Sequence, residues 1–582
     1  MKKLSYIIIM VLMGGMSSLF VSCGDFLDQE SDRVISADKD HLNTASDTLY
    51  SVIGIINKMQ ALSDRTILLG ELRGDLTDVV SKTSADLREI SNFDISADNK
   101  YNSPRDYYAV INNCNYFLAK ADTLIKNSKN EYIFGKEYAA VKAFRAWTYL
   151  QLVINYGKVP FITTPILTKD DADREYEMKD IQGICNYFVN DIAPYARTET
   201  PGYGSIRGND SKLFFFPIYL LMGDLNLWAG NYRDAALCYY NYIATRNGSN
   251  SAYPTEVNIT RWSKTDSKWT FSSDSWSGKF RDETSNSLSE LITEIPGDSI
   301  PSEGNYSELK DLFSASVNNS YQVSLMPSQA LRDLSKAQKY CHLNSENEIS
   351  YAPDNLTGSS VGDLRFRSCI SEMNGNFTIN GTKVDNYVTN DKYATRNVHI
   401  YRRTMVYLRM AEALNRAGFP RFAFALLKTG VNNSVMESDI LPYYPADEAF
   451  LRQFDFPTAK YKLRTKAEGS EENTIGIHSK GSGWTEYNDF YIYPERGSNA
   501  EEQDAVEDLI MDEGALEFAF EGVRFYDLMR VALRRNAPSY LADRIYSRRG
   551  AAKVDEMKSL IKVDLNNTSN WFLSLDGKQM RP

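Results

Sequence analysis

MDEGALEFAFEGVRFYDLMR, residues 511–530, carries the densest pattern in the chain. At helical spacing Ala515, Phe518, Ala519, Gly522, Phe525, Tyr526 and Met529 fall on one apolar face. Glu513, Glu517, Glu521 and Arg524 fall on the other, with acid and base close enough to pair. The spacing predicts one helix across the stretch. Gly522 inside it would cost about 1 kcal/mol relative to alanine, so it marks close packing or a bend. The acidic stripe could be structural or a catalytic carboxylate cluster. Acid/base pairs need environments that push two pKa values apart, whereas this stripe brings its own arginines. The structural reading is the better one.

EFAFEGVRFYDLMR resembles the C-terminal signature of the SusD/RagB family, the surface nutrient-binding lipoproteins of Bacteroidota. Glu513, Glu517, Ala519, Phe520, Glu521, Gly522, Arg524, Asp527, Leu528 and Arg530 match that signature. Gly514 stands where the family has arginine, which removes one ion pair. Further landmarks are similar to the family's: the Asn-rich middle of Tyr107–Lys126, Arg145 within AVKAFRAWTYLQLVINYGKVPFI, Met326-Pro327-Ser328-Gln329 and Gly362-Asp363-Leu364-Arg365. The resemblance thus runs along nearly the whole chain. It implies a mainly α, SusD-like fold: a tetratricopeptide-like helical scaffold with a large loop-rich insertion containing short strands. It also implies a non-catalytic lipoprotein that captures oligosaccharide or peptide and acts as a lid on a SusC-like TonB-dependent transporter.

Outward from that stretch, composition sets the class. A chain of 582 residues, 43% apolar and 12% aromatic, can bury a large core. Its net charge of −11 argues against nucleic acid, which needs a basic surface. Lys2 and Lys3 precede an apolar run from Leu4 to Val21 that ends in Ser22-Cys23. A charged start, an apolar middle and a small residue before the cut read as a secretory signal over residues 1–22. The Ser22-Cys23 junction resembles a lipobox, so Cys23 is the expected lipidation site and the outer membrane, facing outward, the expected location. A single-span anchor is the alternative.

The other five cysteines, Cys114, Cys185, Cys238, Cys341 and Cys369, are isolated and read as buried hydrophobes, with a Cys341–Cys369 pair left open. The four histidines lack partners at ligand spacing, and no HExxH or GxSxG motif occurs, so neither metal nor cofactor is expected.

Helical periodicity appears over Ser36–Asp64, Tyr107–Lys126 and Glu131–Tyr156. Gly223, Gly230, Tyr232, Ala235 and Tyr239 have the small-residue spacing of a tetratricopeptide helix pair, and Ala411, Gly418, Pro420, Ala423 and Leu427 repeat it. Such pairs bury their apolar faces by stacking. The expected division is 23–246 for the first helical region, 247–400 for the insertion and 401–582 for the second. Lys169–Glu175 lacks the glycine and terminal Glu of a calcium loop and reads as a solvated lead-in. Within the insertion, Leu288–Ile295 is strand-like and Gly375–Val388 reads as a hairpin around Asn380-Gly381.

Two loop tracts, Asn247–Asn305 and Glu468–Asn499, are polar yet hold tryptophans. A linker has no use for such rings, which either pack on the scaffold or form a ligand platform. The candidate ligand-binding residues are therefore Trp262, Trp269 and Trp276, with Trp484 on the second tract and Tyr101 beside an earlier loop. Two functions follow: a non-catalytic binding lipoprotein, or a secreted glycan-degrading enzyme with an unrecognised carboxylate pair.

Overall fold

The structure, a computed structural model, describes Leu42 and residues 45–130, 132–245, 261–265, 268–272, 280, 290–298, 305–343, 349–352, 362–456, 476–482 and 491–575. It breaks the quoted stretch in two. Helix Asn499–Phe518 ends there and helix Arg524–Arg534 begins after a turn at Ala519–Val523. The expectation of one continuous helix is corrected, and the reason is local. Phe520 and Gly522 both take left-handed backbone, with φ of 72° and 75°, which no helix interior allows.

Gly522 is there for contact. A Cβ on it would lie 2.5 Å from the Ile67 Cα and 2.7 Å from the Thr66 carbonyl oxygen. Glu71 of helix Ser63–Leu72 holds the turn: its carboxylate accepts the Phe520 N–H at 3.0 Å and the Gly522 N–H at 3.1 Å. Thr77 donates to the same group at 2.9 Å. Burial pushes the Glu71 carboxyl up to about 7 against these hydrogen bonds.

The scaffold is a series of neighbouring antiparallel helices. Pro104–Lys120 packs on Gly135–Tyr156, then Ile181–Ile192, Ile218–Ala229, Tyr232–Thr245, Arg403–Arg416, Pro420–Lys428 and Asn499–Phe518 follow, each against the next or near it. The two repeats read from sequence are the pairs Ile218–Ala229/Tyr232–Thr245 and Arg403–Arg416/Pro420–Lys428. A Cβ on Gly223 would collide with the Tyr239 ring, so the small residue sets the approach of that pair. Gly230 ends its first helix in left-handed conformation, with φ of 83°. Asp224 then joins the two repeats: it accepts from Tyr239 at 2.7 Å, from Tyr401 at 2.6 Å and from Arg409 at 2.5 Å.

Between Thr245 and Arg403 the described residues form two-stranded ladders and short helices such as Gln329–Ala337 and Leu364–Cys369. Ile370–Ile379 and Thr382–Asn390 make the expected hairpin, with Asn380 and Gly381 at φ of 48° and 82° in its turn. Leu291–Ile295 pairs with Val398–Arg402, which leads directly into the second repeat. Thr77–Val79 pairs with Leu325–Pro327. Near the N-terminus, helix Ala45–Met59 lies within the periodic Ser36–Asp64 segment and runs through a short 3-10 turn into Ser63–Leu72, which continues past it. Lys169–Ala172 is a short helix with no buried residue, capped by Thr168. Cys114, Cys185, Cys238 and Cys369 are buried free thiols, so Cys369 is not in a disulfide. Among the described residues, no helix is long and apolar enough to cross a membrane. Cys23 and the signal segment lie outside them.

Candidate functional site

The acidic stripe is buried and is spent on holding the fold. Glu513 and Glu517 face inward from Asn499–Phe518, and Glu521 lies in the turn. Arg365, only 1% exposed, binds Asp363 at 2.8 Å, Glu513 at 2.5 Å and Glu517 at 3.1 Å. Arg402 binds Glu290 at 3.0 Å, Glu517 at 2.7 Å and Glu521 at 2.6 Å. Lys480 adds a contact to Glu517 at 2.8 Å and Lys392 one to Glu521 at 2.5 Å.

Against the cost of burial, Arg365 and His478 hold the Glu513 carboxyl down at about 2. Burial is likewise outweighed at Glu517, which Lys480, Arg402 and Arg365 keep well below the usual carboxylate range. These carboxylates are ionised and matched by cations, with no pair split into acid and base. The expected pairing of Glu521 with Arg524 is corrected. Arg524 instead forks onto Asp75 at 2.6 and 3.0 Å, because the turn swings it to the opposite side.

The predicted platform residues separate. Trp262 and Trp269 lie on one hairpin, Arg261–Thr265 with Lys268–Ser272. Its register sets Trp262 opposite Phe271 and Lys264 opposite Trp269. Trp276 and Trp484 lie outside the described residues. Tyr101 is buried at 5% exposure, with its hydroxyl 3.5 Å from Glu308 and the Lys100 ammonium 4.9 Å from its ring centre. That is the environment of a packed ring.

A solvent-open cleft of about 350 Å³ lies elsewhere, between helix Ala45–Met59 and the turn at Arg207-Gly208. Asn57, Gln60, Arg207, Asn209, Asp298 and Asn397 supply its polar lining. Arg207 pairs with the buried Asp298. Asn397 donates to Asn209 at 3.0 Å, and its carbonyl oxygen accepts the Gly297 N–H at 3.1 Å. Gln60 donates to the Pro296 carbonyl at 2.7 Å and accepts from Asn305 at 2.9 Å. The walls of this cleft are fixed by their own hydrogen bonds.

A model of the SusD family matches residues 464–572, the segment that holds the broken stretch and its inward carboxylates. Solved structures share the fold. A SusD superfamily protein from Bacteroides vulgatus aligns over 92% of this chain and 96% of its own, with a TM-score of 0.55 and 14% identity. The fold is SusD-like. A SusD-like protein from Bacteroides fragilis aligns over 84% and 87%, with a TM-score of 0.53 and 17% identity. Another from that organism, described as a SusD-like carbohydrate-binding protein, aligns over 85% and 88%, with a TM-score of 0.53 and 14% identity. No curated protein sequence matches the chain.

Glu513, Glu517 and Glu521 therefore act as a buried clamp: Arg365 and Lys392 reach it from earlier in the chain, and Arg402 from the strand Val398–Arg402. The cleft residues were not read from sequence. Arg207-Gly208 is a weaker turn signal than Asn-Gly, and Asp298 lies 91 residues further on.

Proposed function

We propose that this SusD-like chain is a nutrient-binding lipoprotein, anchored in the outer membrane through Cys23, that captures an oligosaccharide or peptide. It then delivers that ligand to a SusC-like TonB-dependent transporter. The match of the SusD family to residues 464–572 carries the reading. A similar fold in a protein described as carbohydrate-binding favours glycan over peptide. The acidic stripe supports binding over catalysis, since Glu513 and Glu517 are spent on Arg365, Arg402 and Lys480. Recognition then falls to the loops, the usual place on a rigid scaffold. Trp262 and Trp269, on the hairpin strands Arg261–Thr265 and Lys268–Ser272, are the candidate platform, since an aromatic ring suits the C–H side of a sugar.

A binding screen of purified protein against glycans and peptides, run beside a turnover assay, tests the reading. Binding without turnover is expected, and hydrolysis of any bound glycan would replace it with the enzyme. On the bound glycan, Trp269→Ala should lower affinity by about thirtyfold, roughly 2 kcal/mol, with the melting temperature held. An unchanged affinity would remove Trp269 from the ligand face. Membrane fractionation of Cys23→Ala tests the anchor: the variant should appear in the soluble fraction, and retention would point to a spanning segment instead.

A further inference from the structure

We propose that the cleft at Arg207 holds a single neutral sugar residue, the end of a glycan chain, through neighbouring hydroxyls shared between Arg207 and Asp298. The inference rests on the glycan-binding reading above and gives it a second place of contact, apart from the aromatic hairpin. Its first support is the backbone. Ser205–Ile206 and Asn209–Asp210 form a hairpin joined by two residues, with φ of 51° at Arg207 and 87° at Gly208. A turn of this kind wants asparagine or glycine at its first position. Arginine there stores about 1 kcal/mol of strain or more. A residue kept against its own backbone preference at the mouth of a cleft points to work done by its side chain.

The second support is the charge balance. The Arg207 side chain is 66% exposed, while its partner Asp298 is 5% exposed. The other Asp298 oxygen accepts the Asn305 N–H at 2.8 Å, which fixes the carboxylate in place. One guanidinium nitrogen is spent on that pair, and among the described residues the remaining donors of Arg207 make no hydrogen bond. Arginine only donates and an ionised carboxylate only accepts. Side by side they match a diol: one hydroxyl donates to Asp298 while its neighbour accepts from Arg207. An anion would meet a cation already neutralised and a buried carboxylate behind it, so the pair selects against acidic sugars.

Size and lining complete the case. A cavity of about 350 Å³ is at the small end of ligand sites, which suits one ring and not a run of chain. Among the described residues the Asn57 amide makes no side-chain hydrogen bond and faces this space. It can donate to and accept from a further hydroxyl.

The test uses the full chain and four probes: the methyl glycosides of glucose, galactose, mannose and glucuronic acid. Saturation-transfer NMR and calorimetry read binding, and thermal unfolding reads stability. At least one neutral glycoside should bind, and Arg207→Gly should weaken it tenfold or more. Glycine suits the turn, but this variant leaves the buried Asp298 without its cation and should melt lower, so a second variant keeps the binding readout separate from stability. Asn57→Ala, at an exposed position, should weaken the same probe several-fold.

A neutral glycoside that binds both variants as it binds the parent would overturn the cleft while leaving the chain a glycan binder. Tighter binding of the glucuronide would overturn the neutral class. Binding of none of the four, with a peptide bound in the wider screen, would overturn the cleft and the glycan reading together.

Discussion

Gly70→Ala should destabilise the protein by about 3 kcal/mol or more, the upper range for a forced overlap in a packed interior. Gly70 lies in helix Ser63–Leu72, where alanine would ordinarily be the better residue by about 1 kcal/mol. Here the added methyl would land on the carbonyl oxygen of Gly522, with the Tyr526 ring 2.7 Å away. Backbone stands against backbone at this point, so no side chain can turn aside to relieve the overlap. The helix must retreat, and Glu71 would leave with it. That would strip the Phe520 and Gly522 N–H groups of their acceptor inside the core.

Gly54→Ala is the control. Gly54 is also helical, but a Cβ on it meets nothing within 4 Å. That variant should be unchanged or stabilised by up to about 1 kcal/mol. Urea or thermal midpoints of the pair decide the matter: equal midpoints would mean that the Gly70–Gly522 contact does not hold the N-terminal helices to the C-terminal turn.

What could be read from the sequence was what neighbours in sequence determine. The Gly223, Ala235 and Tyr239 spacing is local, and it located a helix pair whose close approach Gly223 sets. The Asn380-Gly381 turn was legible for the same reason. Helix Ile181–Ile192 carries a local signal of the same kind in Ile184, Cys185, Phe188 and Ile192, all buried.

The turn at Ala519–Val523 was beyond local rules. Phe520 is a bulky residue in left-handed backbone, held there by a carboxylate 449 positions away. The direction of the stripe was hidden for a related reason. Charged residues at helical spacing usually mark a solvated face, but Arg365 and Arg402 arrive from outside the helix and turn that face inward. At the candidate site, Tyr101 sits beside a loop in sequence yet is enclosed in space. The cleft needs Arg207 and Asp298 together, and chain order keeps them far apart.

Glu294→Gln should stabilise the protein at pH 8 by about 3 kcal/mol and leave it nearly unchanged at pH 4. Glu294 is 2% exposed on Leu291–Ile295, directly opposite His399 in the ladder. Its Oε1 has no hydrogen-bond partner among the described residues, and its Oε2 is 4.0 Å from the His399 Nε2. Burial pushes the carboxyl up to about 7, with Asn397 opposing. Burial also pushes His399 down to about 4, helped by Arg402 and resisted by Glu521.

The signs are opposite. The raised Glu294 contributes stability that is complete below its ordinary value of 4.5 and is lost as pH rises toward 7. The lowered His399 contributes stability that is present above its ordinary 6.5 and is lost as pH falls toward 4. Each thereby offsets part of the other's slope in the parent protein. Glutamine remains neutral throughout and places an amide where the protonated carboxyl stood, so only the histidine slope survives. Denaturation of parent and variant at several pH values should show curves that meet near pH 4 and separate up to about pH 7. A constant difference across that range would mean that Glu294 is already ionised inside the fold. In that case burial at this ladder is compensated by a charge that neither His399 nor Asn397 supplies.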